Sequence, residues 1–275
     1  MVKNKNALTI DLEYWWCNEF LKPYLPDKRA DLIIESVTPV LALLKQYNVK
    51  ATFFVLGSVA EKYPNIVEKI ALDGHEIGSH AYSHERLHQL GKKQFEEEVR
   101  RSKDILGSYD CCGFRAPSFS VDNSVLWYLD ILEKYDFQYD SSVFPVKTML
   151  YGVPDAPITI YKPSKDDLAT HDPNGSLFEF PLSVLTIGKN IPVAGGFYFR
   201  VIPGPLFRFC IRQIAKSRPA IIYLHPWELY PSLPRFSLPI HYRFQAYYGT
   251  GEASFAKFER LLKEFSFQPL RAFLP

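Results

Sequence analysis

Ala7-Leu8-Thr9-Ile10-Asp11-Leu12-Glu13-Tyr14-Trp15-Trp16 is the segment on which the choice of fold turns. Its apolar start reads as a buried strand, and the turn after that strand separates two α/β architectures. A dinucleotide-binding sheet needs G-x-G-x-x-G straight after its first strand, so that backbone N–H groups can cradle a pyrophosphate. Here the turn carries two carboxylates and then aromatic rings, and no Walker A sequence occurs in the chain. Side chains alternate along a strand, so Asp11 and Glu13 share one side while Leu12 points away. Two carboxylates on one face of an apolar strand repel each other and resist burial unless a cation or a proton lies between them. Solvated acids at an exposed strand end are the alternative reading.

Outward from this strand, apolar runs alternate with helical periods. Further strands are predicted at Ala51–Gly57, Glu76–His80, Gly113–Pro117, Phe137–Ser141, Leu177–Leu182 and Ala220–His225, with the first at Ala7–Glu13. Helical spacing of apolar residues follows Asp31, runs from Ser58 to Asp73 with Gly74 as its stop, and recurs at Lys93–Leu106, Asp122–Tyr135, Pro205–Lys216 and Glu252–Phe265. Such alternation predicts parallel βαβ units, and the missing nucleotide motifs favour a barrel of seven or eight strands over an open sheet. Either way, chemistry collects at the C-terminal strand ends. The proline-rich stretches Val146–Ser176 and Tyr230–Pro239 read as excursions over the surface.

Composition narrows the function classes. With 32 Lys+Arg against 30 Asp+Glu, the 275-residue chain is no polycation built to neutralise phosphates, so no nucleic-acid partner is expected. A hydrophobic share of 47% excludes a disordered chain. No run is long and apolar enough for a membrane-spanning helix, and Met1–Ile10 lacks a secretory h-region and cleavage site. Cys17, Cys111, Cys112 and Cys210 have no CxxC spacing and are expected as free buried thiols, with a cytoplasmic setting. The 21 prolines and 15% aromatic residues predict shaped loops on a rigid scaffold.

Other predicted strand ends also finish in reactive groups. In Gly74–His84 (GHEIGSHAYSH), His80 and His84 are spaced i, i+4, which on a helical turn aims both imidazoles one way, as a divalent metal requires. His88 extends that row, and His75 lies upstream. Two histidines and one carboxylate form a facial triad with open positions, the pattern of a catalytic rather than a structural metal. The leftover carboxylate then stands where a general base belongs. Arg115 in GFRAPSFS is placed to hold a carboxylate ionised. His225, closing the apolar run Ile222–Leu224, suits general-acid work, with Asp140 as a carboxylate that can raise its pKa.

Taken together, Thr9–Glu13 (TIDLE), Gly74–His84, Gly113–Ser120, Tyr139–Pro145 (YDSSVFP) and Leu224–Glu228 (LHPWE) resemble, in order and over most of the chain, the polysaccharide deacetylases of carbohydrate esterase family 4, the NodB homology domain. Arg243–Phe267 looks like the C-terminal extension of the subgroup associated with exopolysaccharide gene clusters. The resemblance implies a single domain over residues 1–275 with 230–275 packed on it as an extension. It also implies a distorted (β/α)7 barrel and hydrolysis of N-acetyl groups on a sugar with one divalent ion, Zn²⁺ by preference. By the same resemblance Asp11 is the base, Arg115 its orienting partner, and His80, His84 and Glu13 are metal ligands. His225 is the acid, Asp140 its tuning partner, and the Ser118 N–H an oxyanion donor. The family's adjacent Asp pair is replaced here by Asp-Leu-Glu, and Tyr223 stands where an aliphatic residue often lines the acetate pocket. Trp227 and other loop aromatics are candidates for stacking on sugar. A cyclic-amide hydrolase of the allantoinase type and a non-catalytic glycan-binding module are the rival readings.

Overall fold

The computed structural model describes residues 5–275, so Met1–Asn4 of the leader reading lie outside the described residues. Ten strands form, β1 Asn6–Leu12, β2 Thr52–Val55, β3 Glu76–Ser79, β4 Gly113–Phe114, β5 Tyr139–Asp140, β6 Phe178–Glu179, β7 Val184–Ile187, β8 Lys189–Pro192, β9 Ile221–Leu224 and β10 Phe267–Gln268. Six of the predicted runs contain a strand shorter than the run, because pairing stops before the apolar residues do, and β1 is shifted by one residue from the predicted Ala7–Glu13.

Thr9 and Ile10 of β1 pair with β2 and also with β9, so those two strands lie on opposite sides of β1. The parallel order is therefore β9-β1-β2-β3-β4-β5-β6, seven strands curled toward each other. Closure is completed by a bridge rather than a ladder. Just past β6, Ser183 donates its N–H to the Ile221 carbonyl at 3.3 Å, and its Oγ accepts the Ile221 N–H at 2.7 Å. The fold is thus a distorted (β/α)7 barrel. Residues of β2 (TFFV) and β9 (IIYL) are buried throughout, as strands covered on both faces must be. β7 and β8 form a separate antiparallel hairpin, its turn carried by Gly188 at φ 71°.

The chain end contributes to the barrel itself. β10 pairs with the N-terminal end of β1, and Leu270 beyond it is fully buried. Arg271 then reaches buried Glu76 at 3.1 Å, where Tyr139 and Thr52 also donate to the carboxylate. The N-terminal mouth is plugged by this network, which leaves the opposite mouth for chemistry.

Helices depart from expectation in two places. The run from Ser58 to Asp73 is two helices, Gly57–Lys62 and Pro64–Leu72, because Pro64 lacks the N–H that would continue the first. The helix Leu87–Leu106 begins earlier than predicted and kinks at Gly91, whose φ of 68° suits glycine. Helices at Gly196–Val201, Pro226–Leu229 and Ile240–Tyr247 were not signalled by periodicity, being too short to show one.

Candidate active site

At the C-terminal mouth the predicted alternation of β1 holds. Asp11 and Glu13 are both buried and face one cavity, with His80, His84, Ser118, Tyr223, His225 and Trp227 among its other walls. Leu12 points the other way into the hydrophobic core.

Arg115, fully buried at the end of β4, donates from Nη1 to Asp11 Oδ1 at 2.7 Å and to Thr9 Oγ1 at 2.8 Å. Its Nε and Nη2 are held by the Ser141 carbonyl and hydroxyl, at 2.9 and 2.8 Å. With every face committed, the guanidinium can present only one orientation to Asp11. The guanidinium, its other protons taken by Thr9 and Ser141, holds the Asp11 carboxylate in one place through a charge-assisted hydrogen bond.

Glu13 Oε2 lies 2.6 Å from His84 Nε2 and 3.5 Å from His80 Nε2, yet it is buried without a hydrogen bond. The His80 ring is fixed from behind, its Nδ1 at 2.8 Å from the Arg115 carbonyl, which leaves the Nε2 lone pair directed at Glu13. Burial would raise the Glu13 carboxyl, but the charges of His84 and His225 hold it well below the usual carboxylate range. Two imidazole nitrogens and an orphaned carboxylate oxygen converging on one point are a donor set that fits a divalent ion such as Zn²⁺. The helical turn expected for His80 and His84 is absent. Ala81 and His84 take positive φ, 57° and 67°, in an irregular loop, and that reversal brings the two rings within 5.1 Å. His88 is exposed against Asp122, and the His75 ring is turned inward to accept the Ala51 N–H, so neither belongs to the row.

Asp140 is not the partner of His225. Its carboxylate is enclosed by the Ser141 N–H, the Ser142 hydroxyl and the Tyr128 hydroxyl, and its register partner across the sheet is Glu179. Instead, His225 Nδ1 contacts Glu228 Oε2 at 2.9 Å, and Glu228 Oε1 accepts from Arg200 Nε at 2.9 Å. Burial alone would lower the His225 pKa, but Glu13 and Glu228 outweigh it and raise it to about 9. Burial works against Glu228 too, yet His225 and Arg200 keep it below its ordinary value. A signal for Glu228 was present in LHPWE. Glutamate three residues after a cap, with proline between, is the capping-box spacing, and the Glu228 carboxylate does accept the His225 N–H at 3.2 Å. Arg200 lies on an unpredicted helix and had no such signal. Cys17 was also missed as a wall of the site: its sulfur lies within 4.8 Å of ligand atoms on Glu13 and His84. Burial lifts that thiol well above its usual pKa.

Asp140 and Glu179 form a buried acidic pair of their own. Burial raises both carboxyls, Asp140 to about 6, and Glu179 Oε2 has no hydrogen bond among the described residues. A carboxyl raised in the folded state binds more protons there than in the unfolded chain, so its penalty appears as pH rises from the ordinary carboxylate range through the folded value. Glu179→Gln keeps an acceptor for the Val143 N–H and removes one charge. Its Tm relative to wild type is expected to be higher at about pH 8 than at about pH 5, read by thermal unfolding at both.

Tyr223 is buried, 3.3 Å from the Tyr151 hydroxyl, and closes one side of the cavity against the Phe119 ring. Ser118 takes φ 52° in the Arg-x-Pro turn, with its hydroxyl on Glu19 at 3.0 Å. Trp227 is only 3% exposed. It stacks on His225 with ring centroids 5.0 Å apart and donates to Glu13 Oε1 at 3.2 Å, so it braces the site rather than offering a face to sugar.

This mouth sets a carboxylate on a buried arginine beside a His-His-Glu donor set at the C-terminal end of a (β/α) barrel. Residues 30–139 match the polysaccharide deacetylase family, and residues 141–275 match a domain of unknown function, DUF3473. Over residues 30–139 the chain is accordingly similar to the polysaccharide deacetylases of carbohydrate esterase family 4, the NodB type. A peptidoglycan-N-acetylglucosamine deacetylase from Bacillus cereus is 47% identical over 73 residues, 26% of each chain. A chitooligosaccharide deacetylase from Azorhizobium caulinodans is 36% identical over 98 residues, 33% of this chain and 46% of that one. The chain thus spans between a quarter and a half of the length of these relatives. In fold it is similar to a Mycobacterium smegmatis chain described as a candidate polysaccharide deacetylase, with a TM-score of 0.59 at 19% identity over 98% of this chain and 94% of that one.

Proposed function

We propose that this protein hydrolyses the N-acetyl amide of an N-acetylated sugar in a polysaccharide or glycan precursor, releasing acetate and a free amine. The observation that carries the reading is the convergence of Asp11 and His225 on one cavity, Oδ2 and Nε2 3.9 Å apart and each with a buried ionic partner, beside the Glu13–His80–His84 donor set. Glu13, His80 and His84 would hold a divalent ion, Zn²⁺ by preference, which supplies Lewis-acid polarisation of the acetamide carbonyl.

The chain's own residues then divide the proton work. Asp11, pointed by Arg115, accepts the proton of the attacking water as that water's oxygen bonds to the carbonyl carbon. His225, protonated through neutral pH, donates to the amide nitrogen as the C–N bond breaks. The Ser118 N–H is the candidate donor to the developing oxyanion. Glu228 shares with Glu13 in raising the acid's pKa, so Glu228→Gln is expected to move the alkaline limb of the kcat profile to lower pH. Turnover at about pH 6 would then change less than at about pH 8. The free, buried state of all four cysteines is in keeping with a reducing, intracellular setting.

Acetate release from N-acetylglucosamine oligosaccharides, run beside ring opening of allantoin, tests the reaction class. Acetate from the glycan with no ring opening is expected; ring opening without acetate would replace the proposal by the cyclic-amide reading.

A further inference from the structure

Outside the reacting groups, large apolar side chains gather on one exposed surface beside the cavity. Ile240 and Phe244, one turn apart on the helix Ile240–Tyr247, are 75% and 44% exposed, and Met149 is 71% exposed. The other face of that helix is committed inward through Ala246 and Tyr247. Met149, Ile240 and Phe244 line one depression, which meets the catalytic cavity at Gln245. Phe244 also packs on Phe197, a wall of the catalytic cavity, with ring centroids 6.0 Å apart. The helix is tied to the site by Arg200, which donates to the Gln245 carbonyl at 2.8 Å while it holds Glu228. Patch and cavity mouth therefore move as one piece.

The two segments that form this surface carry charge of one sign, and the acid that borders it beside Met149 and Lys147, Asp122, is engaged by His88 at 3.0 Å. Residues 141–154 and 231–251 contain Lys147, Arg235 and Arg243 and no Asp or Glu. Among the described residues none of the three is in an ion pair, and Arg235 instead lies over the Tyr247 ring at 5.6 Å. Exposed aliphatic and aromatic side chains beside unpaired cations are the composition of an interfacial lipid-binding face. A second copy of the chain suits the patch poorly, since an isologous contact centred on Ile240 and Phe244 would set Arg235 and Arg243 against their own copies.

We propose that this patch docks on an anionic lipid bilayer and holds the cavity mouth at the membrane interface, where a glycan carried on a lipid would be presented. Ile240, Phe244 and Met149 enter the headgroup boundary, and Lys147, Arg235 and Arg243 face lipid phosphates. Only the lipid-carried substrate rests on the deacetylase reading; docking needs no turnover.

The test is co-sedimentation of the full chain with phosphatidylcholine–phosphatidylglycerol vesicles and with phosphatidylcholine vesicles alone. Wild type is expected on the anionic vesicles, less on the neutral ones, and less again as salt is raised. Ile240→Ser with Phe244→Ser is expected to weaken partitioning by about tenfold or more, and Arg243→Ser by about fivefold. Acetate release from a soluble oligosaccharide and the far-ultraviolet dichroism of the double variant should match wild type, which shows that it is folded. No binding to anionic vesicles overturns the proposal, as does undiminished binding by the double variant. A wild-type dimer that the double variant converts to monomer overturns it too. A wild type that binds vesicles but releases no acetate leaves docking standing and removes the deacetylase reading.

Discussion

Asp11→Asn is expected to lower kcat for acetate release by about 10²–10⁴-fold while bound metal stays at the wild-type level. Asparagine keeps an oxygen for Arg115 Nη1, and that guanidinium retains Thr9 and both Ser141 contacts, so the buried cation is not stranded. What is lost is the ability to take a proton from water, because an amide is no base at neutral pH. Metal retention follows from position: Asp11 Oδ1 faces Arg115, and the carboxylate beside the two histidines is that of Glu13. Metal analysis and steady-state kinetics on the same preparation check both halves. Near-normal turnover would remove Asp11 as the base, and loss of metal would make it a ligand.

The second large effect is expected at Glu13. Glu13→Ala removes the carboxylate donor and leaves two imidazoles, one of them, His84, with Nδ1 buried and unpartnered among the described residues. Two imidazole nitrogens alone bind a divalent ion far less well than a set completed by a carboxylate. A loss of metal affinity exceeding about 100-fold is therefore expected, since even outer-shell partners of a metal site are worth about 10–100-fold. Acetate release should fall to background with it. The variant also removes the acceptor of the Trp227 indole N–H, so the His225–Trp227 stack must be checked by tryptophan fluorescence. Full metal occupancy in this variant would sink the ligand assignment.

The strands were legible because a buried parallel strand writes itself as a short apolar run, and the mouth was legible because β1 alternates with period two. Hence the positions of Asp11, Glu13 and His225 at the mouth could be read from the sequence, and the structure places these three around one cavity with Arg115 buried behind Asp11. His80 and His84 were found by the wrong geometry: their i, i+4 spacing suggested a helical turn, whereas two left-handed residues in a loop achieve the convergence. Sequence patterns report repeating dihedrals and say nothing of such a loop. Pairings across the fold were least legible. Asp140 and His225 both sit at strand ends, but Asp140 is taken up by Tyr128, Ser142 and its neighbour Glu179, a register that only the sheet reveals. Arg200 reaches Glu228 from a helix too short to show a period, and nothing in either segment announces the other.

Everything proposed for the reaction depends on one ion at Glu13, His80 and His84 acting together with one base, Asp11, on an acetamide. Acetate release from an N-acetylglucosamine oligosaccharide by chelator-stripped protein, titrated with Zn²⁺, measures that dependence. No release is expected before addition, and then a rise that breaks at one equivalent of ion per chain. Release by the stripped protein equal to that of the loaded protein would contradict the proposal.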